Sequence, residues 1–230
     1  MPSRFPRESF SREDESPDAE FYAEPRLVTH IDEYAIEAVG EAYRRFLPPD
    51  GEYLDIMSSW VSHYPADLPV RRVVGLGMNE LELSKNPLLA EYTVQDLNQD
   101  SKLPYEDGRF DGATLCVSVQ YLTHPEEVFA EIGRALKPGA PLVVTFSNRC
   151  FPMKAVRMWV NASSRQRSRI IATYMEDSGR FDVPEVYDLS PALYYYGVPE
   201  DPELRHRISV GEVQTDPLHA VVGRTRLFFY

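Results

Sequence analysis

A chain of 230 residues with 43% apolar side chains has the material for one large core. Its formal charge of -12 at pH 7 argues against a basic groove for phosphates, so no nucleic-acid partner is expected. Two cysteines without CxxC spacing, Cys116 and Cys150, fit a reducing compartment, and no apolar stretch reaches bilayer length or resembles a signal segment, so the expected setting is cytoplasmic with no membrane partner.

Residues 1–25 are polar, acidic and poor in aliphatics, with Glu13-Asp14-Glu15 and several prolines. That composition predicts an arm that is flexible or only loosely docked. From Ile31 the pattern turns helical: Ile36, Val39, Tyr43 and Phe46 share a face, and Pro48-Pro49-Asp50-Gly51 stops the run. Residues 52–56 read as a first strand and 73–77 as a second, buried on both faces. Asn79 is a competent N-cap for a helix carrying Leu81, Leu83, Leu88 and Leu89.

Residues 92–97 and 113–118 read as the third and fourth strands. Thr123 and Glu126 have capping-box spacing, Pro125 lies in the first turn, and Val128, Phe129, Ile132 and Leu136 form an apolar stripe. Lys137-Pro138-Gly139 ends that helix, and 141–146 form the fifth strand. One long helix is expected over 153–177, with further strands over 183–189 and 218–227. Between those strands, 191–213 read as an irregular insertion in which Tyr194-Tyr195-Tyr196 are candidates for a lid. The domain proper is therefore expected over 26–230. Alternating strands and helices predict an α/β fold with a parallel sheet and helices on both faces, and its ligands belong at the carboxyl ends of the strands.

The order from Lys102-Leu103-Pro104 through Phe110-Asp111, the apolar fourth strand, the helix and Leu136-Lys137-Pro138-Gly139 resembles the second half of a class I S-adenosylmethionine (SAM) dependent methyltransferase of the small-molecule, type 11 kind. The resemblance implies a Rossmann-like seven-stranded sheet of order 3-2-1-4-5-7-6 with strand 7 antiparallel. It also implies SAM as cofactor and methyl transfer to a small-molecule acceptor. The family's first loop reads acid, then Gly-x-Gly-x-Gly. Here Asp55 keeps the acid, while Met57, Ser59 and Val61 stand at the glycine positions. Either Ser58 and Ser59 still offer amides and hydroxyls to a cofactor, or the pocket has closed and Asp55 caps a turn. The alternative function is then a catalytically inactive, methyltransferase-like binding protein that no longer uses SAM.

After the second strand, Gly77 stands where relatives place an acid for the ribose, followed by Met78 and Asn79; Asn79 is also the helix N-cap. Asp96-Leu97 matches the adenine position and could equally cap its own loop. Cys116 and Val117 end the fourth strand, where the family contacts the methionine moiety. For the acceptor the resemblance points to His63, Gln120, Tyr121, Asn148 and Arg149, the last either clamping an anion or pairing with a surface acid. No catalytic base stands out. The five histidines show no metal-ligand spacing, so no metal is expected.

Overall fold

The computed structural model describes residues 4–227. After a 3-10 turn at Arg7–Phe10 come α1 (Asp18–Phe21), α2 (Glu33–Phe46), β1 (Gly51–Ile56), β2 (Val70–Gly77), α3 (Glu80–Lys85) and β3 (Leu89–Val94). Then follow β4 (Gly112–Cys116), α4 (Pro125–Ala135), β5 (Pro141–Phe146), α5 (Arg157–Val160) and α6 (Ser164–Asp177). The chain ends with β6 (Glu185–Asp188), α7 (Pro191–Tyr194), α8 (Pro202–Ser209) and β7 (His219–Arg224).

The strands form one sheet in the order β3-β2-β1-β4-β5-β7-β6. Strands β1 to β5 run parallel, and β7 is antiparallel to both β5 and β6. This is the topology the resemblance implied. All six β5 residues are buried, as an inner strand covered on both faces must be. One core lies under α4 and α6, with Val128, Phe129, Ile132, Ile171 and Tyr174 packed beneath them. The other lies under α2, whose Ala35, Val39, Tyr43 and Phe46 face the opposite side of the sheet.

The arm differs from its sequence expectation, since residues 4–28 are docked along their length. Phe5 and Phe10 pack edge-to-face and tilted on Tyr174, with ring centroids 5.9 and 6.3 Å from it. Lys154, with 1% of its side chain exposed, donates to the Ser16 carbonyl at 2.6 Å and lies 3.3 Å from Asp18. Arg12 grips both oxygens of Asp18 at 2.7 and 2.8 Å. Aromatic rings and a closed ionic cluster thus supply the ordering energy that a lack of aliphatics seemed to deny.

Three local expectations also change. The long helix over 153–177 is broken, because Ser163 forms a capping box with Gln166 and starts α6 anew. The Val156 and Arg157 amides bond instead to the carbonyls of Gln120 and Ser11. The capping box at Thr123 does not form: the Thr123 hydroxyl bonds Asn98, and His124 takes the N-cap position without a side-chain bond. The third strand lies three residues earlier than expected, which leaves residues 95–97 in the loop after it.

The insertion over 191–213 folds into α7 and α8. Its Gly197 abuts Glu37 of α2, and Tyr194 stacks on Tyr196. It packs on the first turns of α2.

Candidate active site

A cavity of about 360 Å³ opens at the carboxyl ends of β1, β2 and β4. Its volume falls within the range of small-molecule sites. Asp55, Met57, Ser58, Ser59, Gly77, Met78, Asn79, Asp96, Leu97, Cys116 and Val117 all lie on its wall, as do His63, Tyr121 and Arg149. Gln120 and Asn148 are not on the wall. Gln120 is buried and donates to the Val117 carbonyl at 2.9 Å, while the exposed Asn148 accepts from the Ser147 hydroxyl.

The glycine-poor loop is held by its own hydroxyls. Asp55 is buried, and its Oδ2 accepts from Ser58 at 2.6 Å and Ser62 at 2.5 Å. Its Oδ1 accepts from Thr114 at 3.0 Å. Burial raises the Asp55 carboxyl above its ordinary range, and the three hydroxyls oppose that rise. Ser59 donates instead to Glu82 at 2.6 Å. The serine hydroxyls are therefore committed within the protein, and what they offer a ligand is a fixed backbone. Met57 retains the left-handed φ of 55° at the first glycine position, a conformation costly for a side chain with Cβ. Val117, across the cavity on the β4 loop, has a φ of 49°, unusual for a β-branched residue.

The loop after β1 leans onto the end of β2. The Ser58 amide donates to the Leu76 carbonyl at 2.8 Å, and the Ser58 carbonyl closes against Gly77, leaving no room for a side chain there. Asn79 is used twice by the fold: its Oδ1 accepts from the Glu82 amide, and its Nδ2 donates to the carbonyls of Tyr22 and Ala23. Glu82, which also lines the cavity, is the acid closest in sequence after Gly77 to do so. After β3, Asp96 Oδ1 accepts from the Asn98 amide at 2.9 Å, a bond that caps its own loop. Among the described residues its Oδ2 has no partner. The Tyr121 hydroxyl accepts from the Phe151 amide at 2.8 Å, and burial pushes the phenol up to about 12. Cys116 is likewise pushed up to about 12 by burial, so it is a thiol and not a thiolate nucleophile at neutral pH. Burial lowers His63 to about 4, which keeps the imidazole neutral. Arg149 pairs through Nε with Asp216 at 2.7 Å yet remains 62% exposed at the cavity lip.

Sequence reasoning missed the roof. Tyr22, Arg26, Val28, Thr29, His30 and Ile31 all line the cavity. Asn98 ties the loop after β3 to Asp18 at 2.8 Å, Glu82 accepts the Arg26 amide at 2.7 Å, and Trp60 Nε1 donates to the Val28 carbonyl at 3.0 Å. The loops after β1, β2 and β3 are thus each tied to the arm. Trp60 is drawn toward the roof by that bond, and the cavity remains open beneath it. Nothing in the arm's composition signals this role.

Residues 60–144 match the family model of the methyltransferase domain. No curated protein matches the chain. Among solved structures, the complex of the Haloferax volcanii Trm112 methyltransferase activator with a methyltransferase is similar at 16% identity, covering 84% of this chain and 90% of that one, with a TM-score of 0.56. A SAM-dependent methyltransferase from Mesorhizobium loti is similar at 18% identity, covering 81% and 97%, with a TM-score of 0.54. The 4+2 cyclase SpnF is similar at 14% identity, covering 89% of each chain, also with a TM-score of 0.54. Sheet order and the match over residues 60–144 together show that this chain is similar in fold to the class I methyltransferases.

Proposed function

We propose that the protein is a SAM-dependent methyltransferase acting on a small molecule. The observation that carries this reading is the cavity itself, which remains open although Met57, Ser59 and Val61 replace the loop glycines. It reaches the wall residues after β1, β2, β3 and β4 in one continuous space. In this reading Asp96 and Leu97 hold the adenine, Glu82 and Asn79 face the ribose, and the fixed backbone of 57–59 with Cys116 and Val117 receives the methionine end. The fit is incomplete at the ribose, where Gly77 leaves no carboxylate at the family position. When bound, SAM supplies an electrophilic methyl group on a good leaving group, so the protein's task is orientation more than proton transfer. The neutral His63 and the buried Tyr121 phenol shape the acceptor side without supplying a charge. Residues 18–31 cover one side of the space as a roof.

The second reading, a methyltransferase-like protein without SAM chemistry, draws support from the same Gly77 and from Asp55 being satisfied by Ser58, Ser62 and Thr114. A fold shared with a cyclase adds to it, because architecture does not dictate reaction. Titration calorimetry with SAM and S-adenosylhomocysteine separates the two. The first reading expects saturable binding weakened by about 10- to 100-fold for want of one charged hydrogen-bond pair. Absence of heat at millimolar concentrations of both ligands leaves only the second.

A further inference from the structure

We propose that the cavity mouth receives the anionic end of a flat, apolar acceptor, with Arg149 and Arg26 as its cations and Phe151 as its stacking surface. This rests on the methyltransferase reading for the word acceptor, and on geometry alone for the ligand class.

The chain carries 36 acids against 24 bases, yet two arginines line the cavity wall, Arg149 exposed at its lip and Arg26 in its roof. Of the four acids on the same wall, three are held by the fold's cations or hydroxyls, and Asp96 is held through one oxygen only. Asp18 is held by Arg12 and Lys154, Asp55 by three hydroxyls, Glu82 by Ser59 and the Arg26 amide, and Asp96 by the Asn98 amide. Arg149 spends only its Nε, on Asp216, leaving its terminal nitrogens at the exposed lip. Arg26 Nη2 donates to the Phe21 carbonyl at 2.8 Å, and no carboxylate side chain pairs with its guanidinium among the described residues. Its guanidinium sits 5.4 Å from the Phe151 ring centroid and 4.5 Å from that of Phe21.

Phe151 is the hub of an aromatic mouth. His30 meets it edge-to-face at 5.3 Å, and Tyr121 lies tilted beside it at 6.1 Å. Burial keeps His30 below its ordinary value, so this ring adds apolar surface and not charge at neutral pH. Arg26 donates from Nη1 and Nη2 to the Glu24 and Phe21 carbonyls and so adds positive charge over the aromatic faces, while the free terminal nitrogens of Arg149 suit a planar carboxylate. Rings at the mouth with cations at the lip and roof select a molecule that is apolar at one end and anionic at the other.

A carboxylate at this lip has two sources, the acceptor or the aminoacyl end of the cofactor. We assign it to the acceptor because Arg149 follows β5, on the side of the cavity away from the β2 and β3 loops. The test titrates the protein with 4-hydroxyphenylacetate, indole-3-acetate and benzoate, and with the matching neutral amides, with and without saturating S-adenosylhomocysteine. The expected result is that at least one acid binds tighter than its amide by about tenfold, one charged hydrogen-bond pair. Arg149→Gln is expected to abolish that preference while retaining the wild-type melting temperature and S-adenosylhomocysteine affinity. Arg149→Lys, which keeps the charge, checks that the loss is not a folding defect. Equal binding of acids and amides, no binding of any acid at millimolar concentration, or a preference untouched by Arg149→Gln overturns the proposal. If Arg149→Gln weakens S-adenosylhomocysteine instead, the anion is the cofactor's and the assignment to the acceptor is wrong. Failure of S-adenosylhomocysteine to bind at all would count against the methyltransferase reading, while the ligand-free titration still decides this one.

Discussion

A Cβ built on Gly77 would lie 2.2 Å from the carbonyl oxygen of Ser58, well inside contact distance. The glycine that stands where the resemblance placed an acid is therefore required by the loop in which Met57, Ser59 and Val61 stand where it placed glycines. The two departures are one structural change, in which residues 57–62 settle onto the end of β2 and exclude a side chain from it. Gly77→Asp, which restores the acid on paper, is expected to displace this loop. Overpacking of that kind costs about 1–3 kcal/mol. Thermal unfolding should record the loss, and calorimetry should record no gain in S-adenosylhomocysteine affinity. An unchanged melting temperature with tighter binding would refute the account.

Asp55 gives a second handle on the same loop. Its carboxyl is buried with three hydroxyl donors and, among the described residues, no cation in contact, and burial raises its folded value above the ordinary 3.8. A raised carboxyl contributes stability below the unfolded value and loses it as pH rises through the folded one. Asp55→Asn keeps the shape and removes this titration, at a cost of about 1–3 kcal/mol from disturbed hydrogen bonds. The wild-type advantage over Asp55→Asn is expected to be larger at pH 4 than at pH 7. Urea unfolding at both values measures it, and an advantage that grows with pH would contradict the burial argument.

Much of the fold was legible because it depends on patterns the chain repeats. The continuous apolar runs of β2, β4 and β5, the stripe on α4 and the turn at Lys137-Pro138-Gly139 each announce themselves locally. The positions around the cavity were legible for the same reason, being fixed by which strand end they follow. What stayed hidden was who bonds whom. Ser58 and Ser59 look equally available in sequence, and only the packing shows one turned to Asp55 and the other to Glu82. The break before α6 was missed because the Val156 and Arg157 amides have distant carbonyl partners in Gln120 and Ser11. The roof was missed because a few aromatic rings and one buried ionic cluster hold the arm, features that average composition hides.

His63 sets a third expectation, of opposite sign to Asp55. Burial depresses its folded value to about 4, against 6.5 for the free imidazole. Between those values the unfolded chain takes a proton that the folded one refuses, so stability present above pH 6.5 is lost as pH falls toward 4. The slope is at most about 1.4 kcal/mol per pH unit. His63→Leu, apolar and of similar bulk, is expected to flatten the decline between pH 6.5 and 4.5 in chemical unfolding. A decline as steep as in the wild type would mean that His63 is solvated and titrates freely.

The arm supplies the last test, at Asp18. Burial alone would raise this carboxyl, yet Arg12, Asn98 and Lys154 together hold it below its ordinary value. Three donors from three parts of the chain converge there, and two of them are cations with 7% and 1% of their side chains exposed. Asp18→Asn removes the charge and leaves Lys154 with Asp14, and Arg12 with the more exposed Glu15, as their remaining acids. Breaking a buried pair from one side costs about 3–5 kcal/mol. Because Asn98 joins Asp18 to the loop carrying Asp96, the loss should spread from the arm to the cavity wall. Hydrogen exchange is expected to quicken at the Asp14 and Arg157 amides, whose acceptors are the Met153 and Ser11 carbonyls across the arm interface. The Asn98 amide, bonded to Asp96, should quicken with them. Combining Asp18→Asn with Lys154→Met removes the stranded ammonium and is expected to recover part of the lost stability. If the single variant melts as the wild type does, with those three amides still protected, the cluster does not hold the arm and the aromatic contacts at Tyr174 suffice.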